Sequence, residues 1–200
     1  MRSFRGSIVD PVSNREIVFE SILERNLAAI LRARRDVRRL EDQPESLSYI
    51  DAEGKTRQHT FDFRVTFAND VRWAIAVKPS GQVIKSGIRD VVERIRKHSL
   101  HAFADEALVL TERVITPDRA WNAMRILRAL RMRNDGHCDQ LRQFAAEFRG
   151  AVTVADIISG FTAPAYGYNA MWCLIYEGAL RALDEGKRIT DTSMLIVPRD

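Results

Sequence analysis

From His59 to Lys78 the chain changes period in a way that only a sheet accommodates. Phe61, Phe63, Val65 and Phe67 alternate with Thr60, Asp62, Arg64 and Thr66, the two-residue repeat of a strand with one apolar face. Asn69-Asp70 is a turn, and Val71–Lys78 is a second strand that stops at Pro79-Ser80-Gly81. Upstream, Leu47, Tyr49 and the stretch Val37–Leu40 read as short extended segments, and Ile50–Lys55 as a turn with Gly54 free to take positive φ.

Helical spacing brackets this sheet. Ile17, Phe19, Ile22, Leu23, Leu27, Ile30 and Leu31 predict a helix over 16–35, with Ser13 or Asn14 as its cap. Val83, Ile84, Ile88, Val91, Val92 and Ile95 predict another over 83–99, and Ala107–Thr111 is a short apolar run suited to a buried strand. Thr116-Pro117 then reads as a helix start, with the proline at the first position. The chain therefore divides into residues 1–115, an α/β domain, and residues 116–200, a mainly helical one. In the second part, helices are expected over Arg119–Met132, Cys138–Phe148, Val154–Ser159 (capped by Thr153) and Tyr166–Leu180, followed by a hairpin over 181–197. Helix, turn, helix, hairpin is the winged-helix plan, in which the second helix enters the DNA major groove.

Composition narrows the function classes. With 46% hydrophobic and 29% charged residues the chain has the balance of a soluble globular protein. No apolar run approaches the roughly 20 residues of a membrane span, and basic residues at the N-terminus are not followed by the apolar stretch of a secretory signal. Cys138 and Cys173 form no CxxC pair, which makes a disulfide framework unexpected and a reducing cytoplasm the default. Cys173 sits in an apolar run and reads as a buried small hydrophobe. The net charge of +4 favours an anionic partner, and the excess is concentrated: Arg32, Arg34, Arg35, Arg38 and Arg39 form one set, Arg125, Arg128, Arg131 and Arg133 another. Each is either a solvated helix face or a set of phosphate contacts.

Three residues of the first domain carry candidate chemistry: Glu24 on a helix, Asp62 on a strand, and Lys78 at the end of the next strand. Mg²⁺ takes one or two carboxylates together with water and substrate phosphate. In phosphodiester hydrolysis such an ion stabilises developing charge and lowers the pKa of an attacking water, while a nearby lysine orients the water or neutralises phosphate. Other chemistries lack support. His98 and His101 have no third metal ligand, Pro79-Ser80-Gly81-Gln82 lacks the spacing of a phosphate-binding loop, and no Gly-x-Ser-x-Gly elbow is present. Strand alternation points His59 away from Asp62.

In order along the chain, Ser21-Ile22-Leu23-Glu24, Gln43-Pro44, Asp51-Ala52-Glu53-Gly54-Lys55, Phe61-Asp62-Phe63 and Ala76-Val77-Lys78-Pro79 resemble the N-terminal nuclease domain of TnsA-like transposon endonucleases, of the PD-(D/E)XK nuclease superfamily. The resemblance covers roughly residues 16–115. It implies a restriction-endonuclease-like mixed sheet flanked by helices, followed by a small helical winged-helix-like domain. It implies Mg²⁺ or Mn²⁺ as cofactor, DNA as substrate, and a transposase or other recombination protein as partner. By resemblance Glu24 is the helix glutamate of the site, with Glu20 as an alternative, Asp62 the central metal-binding aspartate, and Lys78 the motif lysine. Gln43-Pro44 is the family's site-adjacent element. The family has Glu or Gln two residues before the lysine; here Ala76 offers a metal only its backbone carbonyl. Two readings follow: a metal-dependent DNA endonuclease, or a nuclease-fold protein that binds DNA or assembles partners without cutting. A third, from the apolar aromatic helix around Tyr166, Tyr168, Trp172 and Tyr176, is a protein-interaction module.

Overall fold

The computed structural model describes residues 5–9 and 15–198. The chain divides between Thr116 and Pro117 into two compact units.

The first unit starts with a hairpin of β1 (Gly6–Val9) and β2 (Glu16–Phe19), paired antiparallel. Helix α1 (Ile22–Arg32) follows. The helix expected over 16–35 is thus shorter at both ends. Ile17 and Phe19 fit either period, but they are buried while Glu16 and Val18 are exposed, as in a strand, and β1 supplies the hydrogen-bonding partner. The helix begins instead at Ser21, whose hydroxyl accepts the Glu24 N–H. Ser13 and Asn14, the expected caps, lie outside the described residues.

Strands β3 (Val37–Asp42), β6 (Phe63–Phe67), β7 (Arg72–Val77) and β8 (Glu106–Leu110) form one mixed sheet in that order; β4 (Leu47–Ile50) and β5 (Thr56–His59) make a separate hairpin between β3 and β6. The first three sheet strands are antiparallel neighbours, and β8 runs parallel to β7. A parallel pair needs a long crossover, and α2 (Ser80–Val83) with α3 (Ile88–His98) supplies it. The single helix expected over 83–99 is broken by Gly87, which takes the left-handed φ of 62°.

Two apolar layers sandwich the sheet. Leu27 and Leu31 of α1 pack on Phe63, Val65, Phe67, Ile75 and Val77. On the other face, Val92 and Ile95 of α3 pack with Ala74, Ala76 and Phe61. Phe61 therefore lies on the face opposite Phe63, not on the same one as the alternation predicts. The chain at Thr60–Asp62 is outside any strand, so the two-residue repeat lapses there.

The second unit contains α4 (Pro117–Arg131), α5 (Asp135–Ala146), β9 (Val152–Thr153), α6 (Val154–Ile158), α7 (Pro164–Glu177), β10 (Arg181–Ala182) and β11 (Met194–Ile196). Its strands form a small sheet in the order β10-β11-β9. Thr153 caps α6 as expected, accepting the Asp156 N–H. Gly178, at φ 79°, ends α7 in the left-handed conformation. Helix α7 is buried along Gly167, Ala170, Met171, Trp172, Cys173 and Leu174. The sequence set Cys138 and Cys173 apart, yet both are buried and each bears electrostatically on the other between α5 and α7. Burial pushes the Cys173 thiol up to about 12, so it packs as a small hydrophobe and not as a nucleophile. No helix among the described residues is long and apolar enough to cross a membrane.

Candidate functional site

Asp62 lies where β3, β6 and β7 come together. Its backbone N–H donates to the Ile75 carbonyl (3.0 Å) and its carbonyl accepts from the Gln43 N–H (3.0 Å). Its Oδ2 accepts the Val77 N–H at 2.6 Å. An aspartate is a poor strand former because its side chain competes for backbone partners; here that competition replaces a ladder bond with a side-chain bond. Gln43-Pro44 is thus next to Asp62 through the main chain, and Gln43 holds a positive φ of 44°, uncommon for a residue with a side chain.

Burial is the largest influence on the Asp62 carboxyl and pushes it up to about 6. The Val77 N–H works against that, as does the Lys78 ammonium, while the negative charges of Glu24 and Glu20 add to it. The fold therefore gathers Asp62, Glu24, Lys78 and Glu20 within electrostatic reach of one another. Glu24 is buried, only 9% exposed. Its Oε1 accepts the Ser21 hydroxyl and its Oε2 the Glu20 N–H, both at 2.7 Å, so the helix N-terminus fixes its orientation in the manner of a capping box. Glu20 lies outside α1, not one helical turn before Glu24, and pairs with Arg5 at 2.9 Å. Lys78 is half-buried, and its backbone N–H donates to Leu110.

Ala76 is 1% exposed and its methyl group packs in the apolar layer that holds Phe61 and Val92. No side-chain oxygen enters the site from that position. Among the described residues no group of three or more His, Cys, Asp or Glu side chains is arranged to hold a metal ion. A Mg²⁺-type ion, however, is held by as few as one or two carboxylates with water, and Asp62 and Glu24, in electrostatic reach of each other, are the residues that could supply them.

His59 packs on Phe61 and lies within electrostatic reach of Lys78. It stacks edge-on against Phe61 at 4.9 Å between ring centroids, and its Nε2 is buried without a hydrogen-bond partner. Burial, and then the Lys78 ammonium, hold its imidazole below the ordinary value, so it is neutral at pH 7. Its proximity to Lys78 follows from the bend at Thr60–Asp62, which leaves no local signature in the sequence.

The first arginine set proves to be largely engaged. Arg34 pairs with Asp36, Arg38 with Asp70 at 2.6 Å, and Arg39 with Glu41 at 2.9 Å, while Arg32 is buried against the Val37 carbonyl. In the second set Arg133 is bound to Asp135 and Glu177. Helix α7 contains no lysine or arginine at all.

No model of a known protein family matches the sequence, and no curated protein matches it.

Proposed function

We propose that the protein is a DNA-processing protein with a restriction-endonuclease-like first unit, related to TnsA-like endonucleases, that cleaves a phosphodiester bond with a divalent metal. One observation carries this reading: the half-buried Asp62, its carboxyl raised to about 6, with Glu24 and Lys78 in electrostatic reach. Burying carboxylates together without a matching cation is costly, and the arrangement is economical only where a cation and an anionic substrate arrive. The mixed sheet with α1 on one face and α3 on the other agrees with the layout that the resemblance implies. The order β9, α6, α7, β10, β11 agrees with a winged-helix plan for the second unit.

In this reading Asp62 and Glu24 hold Mg²⁺ or Mn²⁺, which when bound supplies charge stabilisation and a water of lowered pKa. Asp62 is oriented by the Val77 N–H, and Glu24 by Ser21 and the Glu20 amide. Lys78 donates to a non-bridging phosphate oxygen or to the attacking water. Neutral His59 adds no second positive charge beside Lys78 and so leaves the ammonium as the local cation. A transposase or another recombination protein is the expected partner, and the cytoplasm the expected compartment.

The test is incubation of the full chain with supercoiled DNA and Mn²⁺, beside Asp62→Asn and Lys78→Ala. Nicking or linearisation lost in both variants is expected; cutting that persists in Asp62→Asn overturns the assignment. The packed methyl of Ala76 favours a second reading, in which the same fold binds DNA without cutting. It predicts binding that weakens steeply with salt and is indifferent to Mn²⁺, with no cleavage by the wild-type chain.

A further inference from the structure

In the second unit, α4, α7 and the segment Arg188–Thr192 enclose a groove of about 920 Å³ that the reading above does not use. Its volume lies within the range of small-molecule sites, roughly 300–1,000 Å³, which are mostly apolar with a few convergent polar groups. Its apolar lining is made by Ala129, Met171, Trp172 and Ile189, each buried.

The polar groups are arginines held in place by the fold. The guanidinium of Arg125 lies 4.8 Å, and that of Arg188 5.0 Å, from the ring centroid of Trp121, whose ring meets Trp172 edge-on at 5.9 Å. A guanidinium stacked on an aromatic ring keeps its N–H edge available for a planar anion. Arg188 is fixed further by Asn122, a polar side chain only 8% exposed. Asn122 donates to the Lys187 carbonyl (2.8 Å) and accepts the Ile189 N–H (3.0 Å), pinning the chain on both sides of Arg188. Arg128 lines the same groove, exposed. The opposing acids are partly engaged. Asp191 accepts the Tyr168 hydroxyl, whereas Asp118 pairs with Arg188 itself at 3.5 Å and partly neutralises it, which leaves Arg125 and Arg128 as the main cations of the groove. Arg133, also in the lining, is bound to Asp135 and Glu177.

We propose that this groove is a binding site for a small organic anion with a flat apolar body, of the aryl carboxylate class. The body rests against Ala129, Trp172 and Ile189, and the acid group is forked by Arg125 and Arg128 with Arg188 beside them. A run of unpaired bases fits less well. Base stacking along a strand needs successive open aromatic faces, but Trp121 carries guanidiniums and Tyr166 is stacked on His137 at 4.5 Å. Because α7 forms one wall, an occupant bears directly on the helix that a winged-helix unit would present to DNA. The site stands on observations separate from Asp62 and does not depend on nuclease activity.

The probe is 8-anilinonaphthalene-1-sulfonate, an apolar aryl anion, titrated into the full chain, with uncharged N-phenyl-1-naphthylamine as its counterpart. Saturable binding of one dye per chain with quenching of tryptophan emission is expected. The double variant Arg125→Ala/Arg128→Ala weakens the sulfonate by about tenfold and leaves the neutral dye nearly unchanged. Ala165→Trp, at an exposed position of the lining, weakens both dyes, and 1-naphthoate displaces the sulfonate where acetate does not. Absence of saturable binding, or sulfonate affinity unchanged in the double variant, overturns the proposal. So does displacement by an oligothymidylate or by poly-glutamate where 1-naphthoate fails, which would give the groove to a strand of nucleic acid or to an acidic chain.

Discussion

At Asp62 the chemistry of a single carboxyl has a thermodynamic signature. Its ordinary value is 3.8 and burial lifts it to about 6. The folded state then keeps a proton that the unfolded chain has released, so stability falls as pH rises from about 4 to about 6. A shift of this size corresponds to about 3 kcal/mol. Asp62→Asn retains an oxygen for the Val77 N–H and removes the charge. The variant is expected to be more stable than wild type by an amount approaching that figure at pH 7, with the difference vanishing below pH 4. Urea denaturation of both proteins at several pH values in the presence of a chelator measures it, and equal stability at pH 7 would contradict the burial argument.

Asp62 also marks where the sequence stops being readable. The candidate trio Glu24, Asp62 and Lys78 was legible because each stands in a short motif. Their orientation was not, because it depends on non-local partners: Gln43 and Val77 on either side of Asp62, and the bend that brings His59 toward Lys78. The strand period points His59 away from Asp62, and its ring packs on Phe61; what the period misses is the break at Thr60–Asp62, which puts Phe61 on the face opposite Phe63. The pairing of the first arginine set was hidden for the same reason. Their neutralising acids, Asp70 for Arg38 and Glu41 for Arg39, are ordinary charges until the turns and β3 place them.

Among the elements, α1 shows how one cap serves structure and site together. Ser21 accepts the Glu24 N–H and donates to the Glu24 carboxylate. Ser21→Ala is expected to destabilise the protein by about 1 kcal/mol, readable as a lower denaturation midpoint at unchanged slope. In the second unit, α6 and α7 cross at Gly167. A Cβ there would meet the Ile158 Cβ at 3.0 Å and Phe161 at 3.1 Å. Gly167→Ala relieves an entropic cost within the helix, but the clash with two buried side chains outweighs it, and a net loss of about 1–3 kcal/mol is expected by thermal denaturation. Element type was the most legible level. The strands β3, β4, β7 and β8 and the helices α4 to α7 stand close to their expected positions, since each has a long periodic run or a cap. The errors fall at Gly87, whose left-handed turn splits a helix, and at Ile17 and Phe19, whose spacing satisfies two periods until β1 decides between them.

For the molecule as a whole, the 31 lysines and arginines overstate the free positive surface, because many arginines are paired with carboxylates within their own unit. What is left short of counter-charge is the acidic group around Asp62. A divalent cation that binds there binds only the folded chain, so it stabilises the protein by mass action. At a hundredfold excess over its Kd, Mn²⁺ is expected to add about 3 kcal/mol. A chelator should remove the effect and Asp62→Asn should abolish it. A melting temperature that rises equally in wild type and variant would place the ion elsewhere. The division into two units was legible from Thr116-Pro117, because a cap and a proline at the first helical position mark a boundary by local chemistry alone.

Asp62 engages β3 and β7 by amide, carbonyl and carboxylate at once. A descendant of this chain that lost all ability to cut would still need an oxygen acceptor there, which asparagine supplies as well as aspartate, since any shorter or apolar replacement leaves the Val77 N–H without a partner. A drift to asparagine, which keeps that bond without the buried charge, would therefore mark a lineage whose chemistry has lapsed. Lys78 joins β8 through its backbone N–H alone, so its side chain would be free to drift in the same way once the chemistry is no longer in use.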